Sequence, residues 1–275
     1  SLVLSLLVAS AVIFLSLEVV PGDPAAYMLG LNAQEDTLAA LREELGLNKG
    51  PVARYFSWLG AAVQGDLGTA LTNGADIATS LGKRLSNTLF LAFWAAVFSV
   101  PLAIFLGLLA VRYRDRWPDK LISAVTLTTI SIPEFMIGYI AIFYVSIQLG
   151  WAPPNAAFFT WDSSLGEKLY QIALPVLVLT LVVLAHMMRM TRAAILNVMQ
   201  SAYIETAELK GLTTFTVIYR HAFPNAIAPI ITVVMINLAY LVVRVVVVEV
   251  VFAYARMGQY LVDAVVKRDV LFVLT

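Results

Sequence analysis

The 275-residue sequence contains no cysteine and only two histidines, His186 and His221. The first absence excludes a disulfide framework, a thiolate metal site and a cysteine nucleophile. The second leaves too few imidazoles for a histidine metal cage within this chain. Charge is scarce too: Asp, Glu, Lys and Arg make up 13% of the residues and cancel to a net charge of +0. Without a basic excess there is no electrostatic footprint for nucleic acid. There is no P-loop: Gly82-Lys83 is the nearest approach, with Ile77 in place of the first glycine and Arg84 in place of Ser/Thr. No HExxH zinc signature occurs either. His186 stands in His186-Met187-Met188-Arg189, where it reads as a residue at the cytoplasmic end of a span. With two histidines, both placed on the cytoplasmic side, an intramembrane Ser/His/Asp hydrolase has little to build on.

What the chain has in abundance is apolar surface. Hydrophobic residues make up 60% of it and its mean hydropathy is +0.85. A soluble domain averages roughly 45–50% apolar and about 25% charged residues, and disorder requires the opposite bias. The composition is that of a polytopic, all-α membrane protein. A membrane helix needs about 20 mostly apolar residues, and five stretches qualify: 1–20, 88–111, 121–149, 171–188 and 226–252. Strands are a poor alternative, because these runs lack the period-2 alternation of a membrane barrel. The third stretch is long for one span, and Ser131-Ile132-Pro133 is expected to kink it between an interfacial lead-in and the crossing. The first is too long for a signal-peptide core and no small-residue cleavage site follows it. It reads as an anchor helix whose cytoplasmic lead lies outside the sequence, and residues 270–275 turn apolar as if a sixth span followed.

Basic residues orient the chain. Residues 112–120 carry Arg112, Arg114, Arg116 and Lys120, and residues 189–223 carry Arg189, Arg192, Lys210 and Arg220. Residues 150–170 carry only Lys168. The positive-inside rule then places the N-terminus and the fourth loop in the cytoplasm, and the first and third loops outside. The long first loop has helical signals of its own. Pro21-Gly22-Asp23-Pro24 breaks the first span. Thr37 is expected to cap a helix carrying Leu38, Leu41 and Leu45, with Gly46 ending it. Pro51 is expected to open a second helix through Tyr55, Trp58 and Leu59 that stops near Gln64-Gly65-Asp66. Such a helical cap serves either as a lid on its own membrane domain or as a dock for an external partner.

The fourth loop reads as helix, glycine stop, second helix, proline stop. Residues 191–210 have good helix formers and no proline, and Gly211 suits the left-handed position that ends a helix. Thr213 or Thr214 is expected to cap the second helix, and Pro224 to end it before the fifth span. Two short helices at a membrane surface form a rigid, part-apolar protrusion, and an ordinary connection needs no such spacing.

Here the sequence resembles the ABC importer permeases, whose EAA loop reads Glu-Ala-Ala, three residues, Gly, nine residues, then an apolar residue, any residue and Leu-Pro. This chain has Glu205-Thr206-Ala207, three residues, Gly211, nine residues and His221-Ala222-Phe223-Pro224. Thr206, His221 and Phe223 depart from the pattern. Further blocks resemble the dipeptide/oligopeptide/nickel branch of the DppB/OppB type, in family order. They are Val20-Pro21-Gly22-Asp23-Pro24, Leu41-Arg42-Glu43-Glu44-Leu45-Gly46-Leu47, Gln64-Gly65-Asp66-Leu67-Gly68 and Arg84-Leu85-Ser86-Asn87-Thr88-Leu89. Ser131-Ile132-Pro133-Glu134-Phe135, Val247-Val248-Glu249-Val250-Val251-Phe252 and Arg268-Asp269 follow. One departure stands out: Val242-Val243-Arg244 occupies a place where such permeases have small residues. An Arg at mid-membrane costs on the order of 2.5–3.5 kcal/mol on insertion scales. Arg244 could line the pathway and meet an acidic substrate group, snorkel to an interface, or belong to a degraded Val-rich stretch.

The resemblance implies the ABC importer permease fold. The first transmembrane helix would occupy 1–20, an external helical loop 21–87, and the core permease domain 88–275, with the EAA loop at 189–224. It implies a transport subunit rather than an enzyme, without a cofactor of its own, ATP and Mg being bound by partner subunits. Those partners are a second, homologous permease, two ATP-binding-cassette ATPases and an external substrate-binding protein, all at the lipid bilayer. The implied location is the plasma membrane of a prokaryote, the inner membrane in a Gram-negative cell. Docking to the ATPases falls to Glu205, Thr206, Ala207, Gly211, His221, Phe223 and Pro224. The implied substrates are di- and oligopeptides, with nickel or another small solute as the alternative. Three other classes compete. A secondary transporter or channel would have to use buried ionisable residues, for which Glu134 and Arg244 are the pathway candidates. A membrane-embedded enzyme is opposed by the His and Cys counts, and a structural subunit without transport activity is the third.

Overall fold

The computed structural model describes residues 2–19, 25–26, 34–44, 47–69, 76–156, 159 and 161–254. The expected break at Pro21-Gly22-Asp23-Pro24, the stop at Gly46, and everything beyond residue 254, including Arg268-Asp269, lie outside these residues. Regular structure among the described residues is helical, apart from one isolated bridge between Thr69 and Asp76. They form two compact units, one built from residues up to Leu85 and the other from Ser86 onward.

In the first unit, α1 (Leu2–Val19) is apolar around its whole circumference. Helix α2 spans Glu35–Glu44. It begins two residues before the expected cap, with Thr37 already inside it, because acidic Glu35 and Asp36 suit the positive end of a helix. Helix α3 (Pro51–Val63) opens on Pro51 and closes at Gln64, followed by Gly65 at φ +83°. Both ends match the sequence expectation. Tyr55 docks α3 on α1: its Oη lies 2.8 Å from Ser10 Oγ, and its ring sits 5.5 Å from that of buried Phe14.

Among the described residues, three helices are long and apolar enough to cross a membrane: α4 (Ile77–Arg112), α8 (Ala173–Met199) and α10 (Thr214–Val251). The pair α5 (Trp117–Ser131) and α6 (Glu134–Gln148) is long and apolar enough only when taken together, and it is bent by 105° at the break, as in a broken span or a re-entrant loop. A short helix α7 (Leu165–Gln171) precedes α8, and α9 (Ala202–Leu209) follows it. Four of the five predicted apolar stretches fall in order on α4, the α5–α6 pair, α8 and α10; the first falls on α1, whose apolar part, Val3–Ser16, is shorter than the other candidate spans.

The break between α5 and α6 has a local cause. The Thr126, Thr128, Thr129 and Ser131 hydroxyls all donate to carbonyls one turn back, which loosens a helix. Ile132, ahead of a proline, is extended at φ −96° and ψ 130°. Pro133 has no N–H to continue the ladder.

Three boundaries differ from expectation. Helix α4 starts at Ile77 and not Thr88, with the Asp76 carboxylate accepting a 2.7 Å bond from the Thr79 N–H. Helix α8 runs to Met199 rather than stopping at Met188. In both, hydropathy marks where a helix leaves the apolar layer, not where its hydrogen bonding ends. The third difference concerns Pro224, which stops nothing: α10 is continuous from Thr214 to Val251. Residues Val217–Ala222 are wound as a π-helix. The wider turn shifts the hydrogen-bond register, so the proline ring enters without ending the helix. Asn225 Nδ2 donates a 2.7 Å bond to the His221 carbonyl in this stretch.

Helix α8 is the axis of the second unit. Leu174, Val178, Leu179, Val183, Met187 and Met188 are buried in one apolar cluster with Leu91 and Ala95 of α4 and Leu241, Val245 and Val248 of α10. A second cluster surrounds the last turns of α8. It joins Leu108 and Val111 of α4, Ile195 of α8, Ile204 and Ala207 of α9, and Val217, Ile218, Ala222 and Ile230 of α10. Helices α4 and α8 approach closely at Gly107, where a Cβ would stand 2.9 Å from Thr191 Cγ2. Small residues at such crossings let membrane helices touch.

Candidate functional site

The fourth loop is a folded object with a core of its own. The sequence suggested one helix over 191–210, but the chain breaks at Gln200-Ser201. Ser201 turns to an extended ψ of 147° and its hydroxyl donates a 2.6 Å bond back to the Val198 carbonyl. Serine competes with the helical ladder in this way, and helix-former counts do not register it. The result is a separate eight-residue α9 set off from α8.

Helix α9 is two-faced. Ile204 and Ala207 point into the second apolar cluster. Tyr203, Glu205, Thr206, Glu208, Leu209 and Lys210 are exposed, Leu209 at 83%. The glycine stop has the expected form. Gly211 sits at φ +76°, its N–H bonds the Glu208 carbonyl at 2.9 Å, and the Leu212 N–H reaches the Ala207 carbonyl at 3.4 Å. These two bonds are the Schellman pattern, which satisfies the last carbonyls of α9. A Cβ on Gly211 would meet nothing within 4 Å, so only backbone conformation demands glycine there. Thr213 then caps α10, its Oγ1 accepting from the Thr216 N–H. Phe215, exposed at the start of α10, stacks 4.4 Å from Tyr219, and the Arg112 guanidinium lies 5.2 Å from its ring. The end of α4 thus grips the far side of the loop.

The structure divides the expected docking residues into two groups. Glu205, Thr206, Gly211 and Pro224 are exposed. Ala207 is buried, while His221 and Phe223 are half-buried, Phe223 against the second cluster. Sequence reasoning overlooked Tyr203, Leu209 and Phe215, apolar side chains left on the open face. The available signal was apolar residues on both sides of a short, otherwise polar helix.

The ionisable residues among the long helices lie elsewhere. His186 is at the middle of α8, not its end, because α8 continues to Met199. It is half-buried, as are Glu134 of α6 and Arg244 of α10. Helix α6 packs closely on α10: a Cβ on Gly138 would lie 3.0 Å from Val251 Cγ1.

At the end of the unit away from the loop, polar contacts join α4 to α10. The Thr88 hydroxyl donates to Glu249 Oε1, and Tyr254 Oη donates to the Asn87 carbonyl at 3.1 Å. Burial first, and then Glu249, push the Tyr254 phenol up, which keeps it a proton donor. Trp161 Nε1 donates to Asn87 Oδ1 at 2.7 Å, and Lys168 Nζ lies 5.2 Å from the Trp161 ring.

No group of three or more His, Cys, Asp or Glu among the described residues is arranged to hold a metal. The loop is a compact, part-apolar protrusion on the helices of the second unit. Residues 1–95 match the family described as "Binding-prot-dependent transport system membrane comp, N-term". Residues 99–273 match "Binding-protein-dependent transport system inner membrane component". The chain is similar to "Glutathione transport system permease protein GsiC" of Escherichia coli, at 32% identity over 98% of this chain and 85% of that one. It is also similar to "Probable peptide ABC transporter permease protein y4tP" of Sinorhizobium fredii, at 33% identity over 94% of this chain and 82% of that one. The chain belongs to the binding-protein-dependent transport system inner membrane components and is a multi-pass permease subunit of an ABC importer.

Proposed function

We propose that this chain forms half of a translocation pathway for di- and oligopeptides and takes its drive from ATPase subunits that dock on the loop at 189–224. The observation that carries the docking reading is the two-faced α9. Ile204 and Ala207 hold it on an internal core, while Tyr203, Glu205 and Leu209 stay open. A helix held rigidly from behind passes on a push from the front. Docking then rests on Glu205, Thr206 and Gly211 directly, with Ala207, His221, Phe223 and Pro224 shaping the base that presents them. The partners are a second, homologous permease, two ATPases that bind ATP and Mg, and an external binding protein that delivers substrate. In this division 1–20 anchors the chain, 21–87 forms the external helical loop and 88–275 the core. The peptide reading is supported by the names of the relatives, whose permeases serve glutathione and peptides. Glu134 and Arg244 line the pathway, since ionisable side chains inside membrane bundles face partners or water rather than lipid.

Purification of the tagged chain in mild detergent, with mass spectrometry of what accompanies it, tests the assembly. A second permease and P-loop ATPases in stoichiometric amounts are expected, and loss of the ATPases is expected on Leu209→Glu. A chain that purifies alone and still transports solute after reconstitution would overturn the reading in favour of a secondary transporter centred on Glu134 and Arg244. Uptake of labelled dipeptides by the reconstituted complex, against nickel as the competing cargo, tests the substrate.

A further inference from the structure

One buried carboxylate collects three elements at the loop end of the second unit. Asp119, in the first turn of α5, accepts from Arg192 of α8 at both oxygens: Nε to Oδ1 at 2.9 Å and Nη2 to Oδ2 at 2.7 Å. The Asp119 side chain is 5% exposed and that of Arg192 27%. Asp119 Oδ2 also accepts from the Asp115 N–H at 3.1 Å, and Oδ1 from Ser123 Oγ at 3.4 Å. Asp115 sits at φ +64°, a conformation that persists only when its surroundings hold it. The turn between α4 and α5 is therefore tied to the same carboxylate.

Arg192 is seven residues from the end of α8, on the stretch that leads into α9. Its neighbour Thr191 is the residue packed on Gly107 of α4. A bidentate guanidinium–carboxylate pair resists both sliding and rotation, whereas apolar packing of the same volume supplies stability without direction. From Asp119, α5 leads to the 105° break ahead of Pro133 and Glu134.

We propose that Asp119 and Arg192 are a positioning pair that locks α5 to α8, with α9 held on α8 by the cluster that buries Ile195 with Ile204 and Ala207, so that the three move as one body and displacement of α9 by the ATPases reaches the α5–α6 break. This rests on the reading of α9 as the ATPase contact.

The chain has no cysteine, so two introduced ones are the only labelling sites on it. Spin labels at Leu127→Cys in α5 and Ala202→Cys at the start of α9 report the separation of the two helices. The measurement uses the full complex with cysteine-free ATPases, nucleotide-free and then trapped with ATP and vanadate. In the otherwise native chain the distance distribution is expected to be the same in both states. With Arg192→Lys, or with the volume-matched pair Asp119→Leu/Arg192→Met, it is expected to shift and broaden on trapping, and transport per ATP to fall at least tenfold. A distance that changes on trapping in the native background overturns the proposal, even if neither variant assembles. So does an unchanged distance in an assembled variant. Failure of the docking reading is separate: native chain that retains no ATPases refutes that reading before any label is measured.

Discussion

The Thr88 hydroxyl donates a 2.5 Å hydrogen bond to Glu249 Oε1, and the two residues are 5% and 0% exposed. The bond joins the first half of α4 to the last turn of α10, across 161 residues of sequence. A carboxylate inside an apolar bundle persists only with hydrogen-bonding partners. Replacing Thr88 by isosteric Val removes a donor and keeps the volume. Thr88→Val is expected to destabilise the chain by about 1–2 kcal/mol, near the upper range for hydrogen bonds between membrane helices. Thr88→Ser should recover most of this. Unfolding midpoints in detergent decide it, and a Val variant as stable as the native chain would remove the assigned role.

Gly211 separates conformation from contact. Its φ of +76° strains any L side chain, yet no atom blocks a Cβ. A bulky residue there costs about 1–2 kcal/mol, and Asn tolerates the left-handed region better. Gly211→Val is therefore expected to reshape the turn after α9, release the ATPases and abolish ATP-driven uptake while the long helices stay folded. Gly211→Asn is expected to keep both. Co-purification and uptake measured side by side check this, and ATP-stimulated uptake at native rate in the Val variant would refute the lever role of α9.

The Gly107–Thr191 crossing makes a packing prediction. A Cβ at Gly107 falls 2.9 Å from Thr191 Cγ2 and 3.4 Å from the Arg192 backbone nitrogen. Gly107→Leu forces α4 from α8 and is expected to destabilise by about 1–3 kcal/mol, the usual range for overpacking. Gly107→Ala should be milder, and adding Thr191→Ala should relieve it by removing the clashing methyl. Thermal melts of the two single variants and the double variant form the cycle. Strict additivity would mean that the contact is not the cause.

Arg244 and Glu134 give the pathway test. If they line the route, Arg244→Ala and Glu134→Gln each lower the maximal uptake rate several-fold while complex yield and ATPase retention stay unchanged. Transport at native rate by both variants, in complexes of native composition, would remove them from the pathway.

Much of the architecture was legible in the sequence because it follows from local chemistry. Long apolar runs announce helices in a bilayer, where every backbone group must be satisfied within its own segment. Ser131-Ile132-Pro133 announced a break because proline withdraws one donor and forces its neighbour to extend. Gly211 announced a left-handed stop because only glycine adopts that conformation freely. Helix ends were read less well. The stretches 77–87 and 189–199, interrupted by Lys83 and Arg84 and by Arg189 and Arg192, continue α4 and α8 past their apolar cores, and hydropathy is blind to that. The break at Ser201 and the passage of α10 through Pro224 depend on hydrogen-bond registers that composition does not carry.

By itself the sequence determined the class of the molecule, the order of its long apolar helices, the break ahead of Pro133 and the helix–glycine–helix of the loop. Each rests on contacts within a few residues of chain, where side-chain chemistry and backbone sterics act directly. Only the tertiary structure decided that Arg192 grips Asp119 from 73 positions away, that Thr88 meets Glu249, and that Gly138 packs against Val251. The same holds for α9, whose inward and open faces are sorted by the apolar cluster beneath it. These relationships are set by how α4, α5, α6, α8 and α10 cross, and a crossing depends on side chains from two distant segments at once.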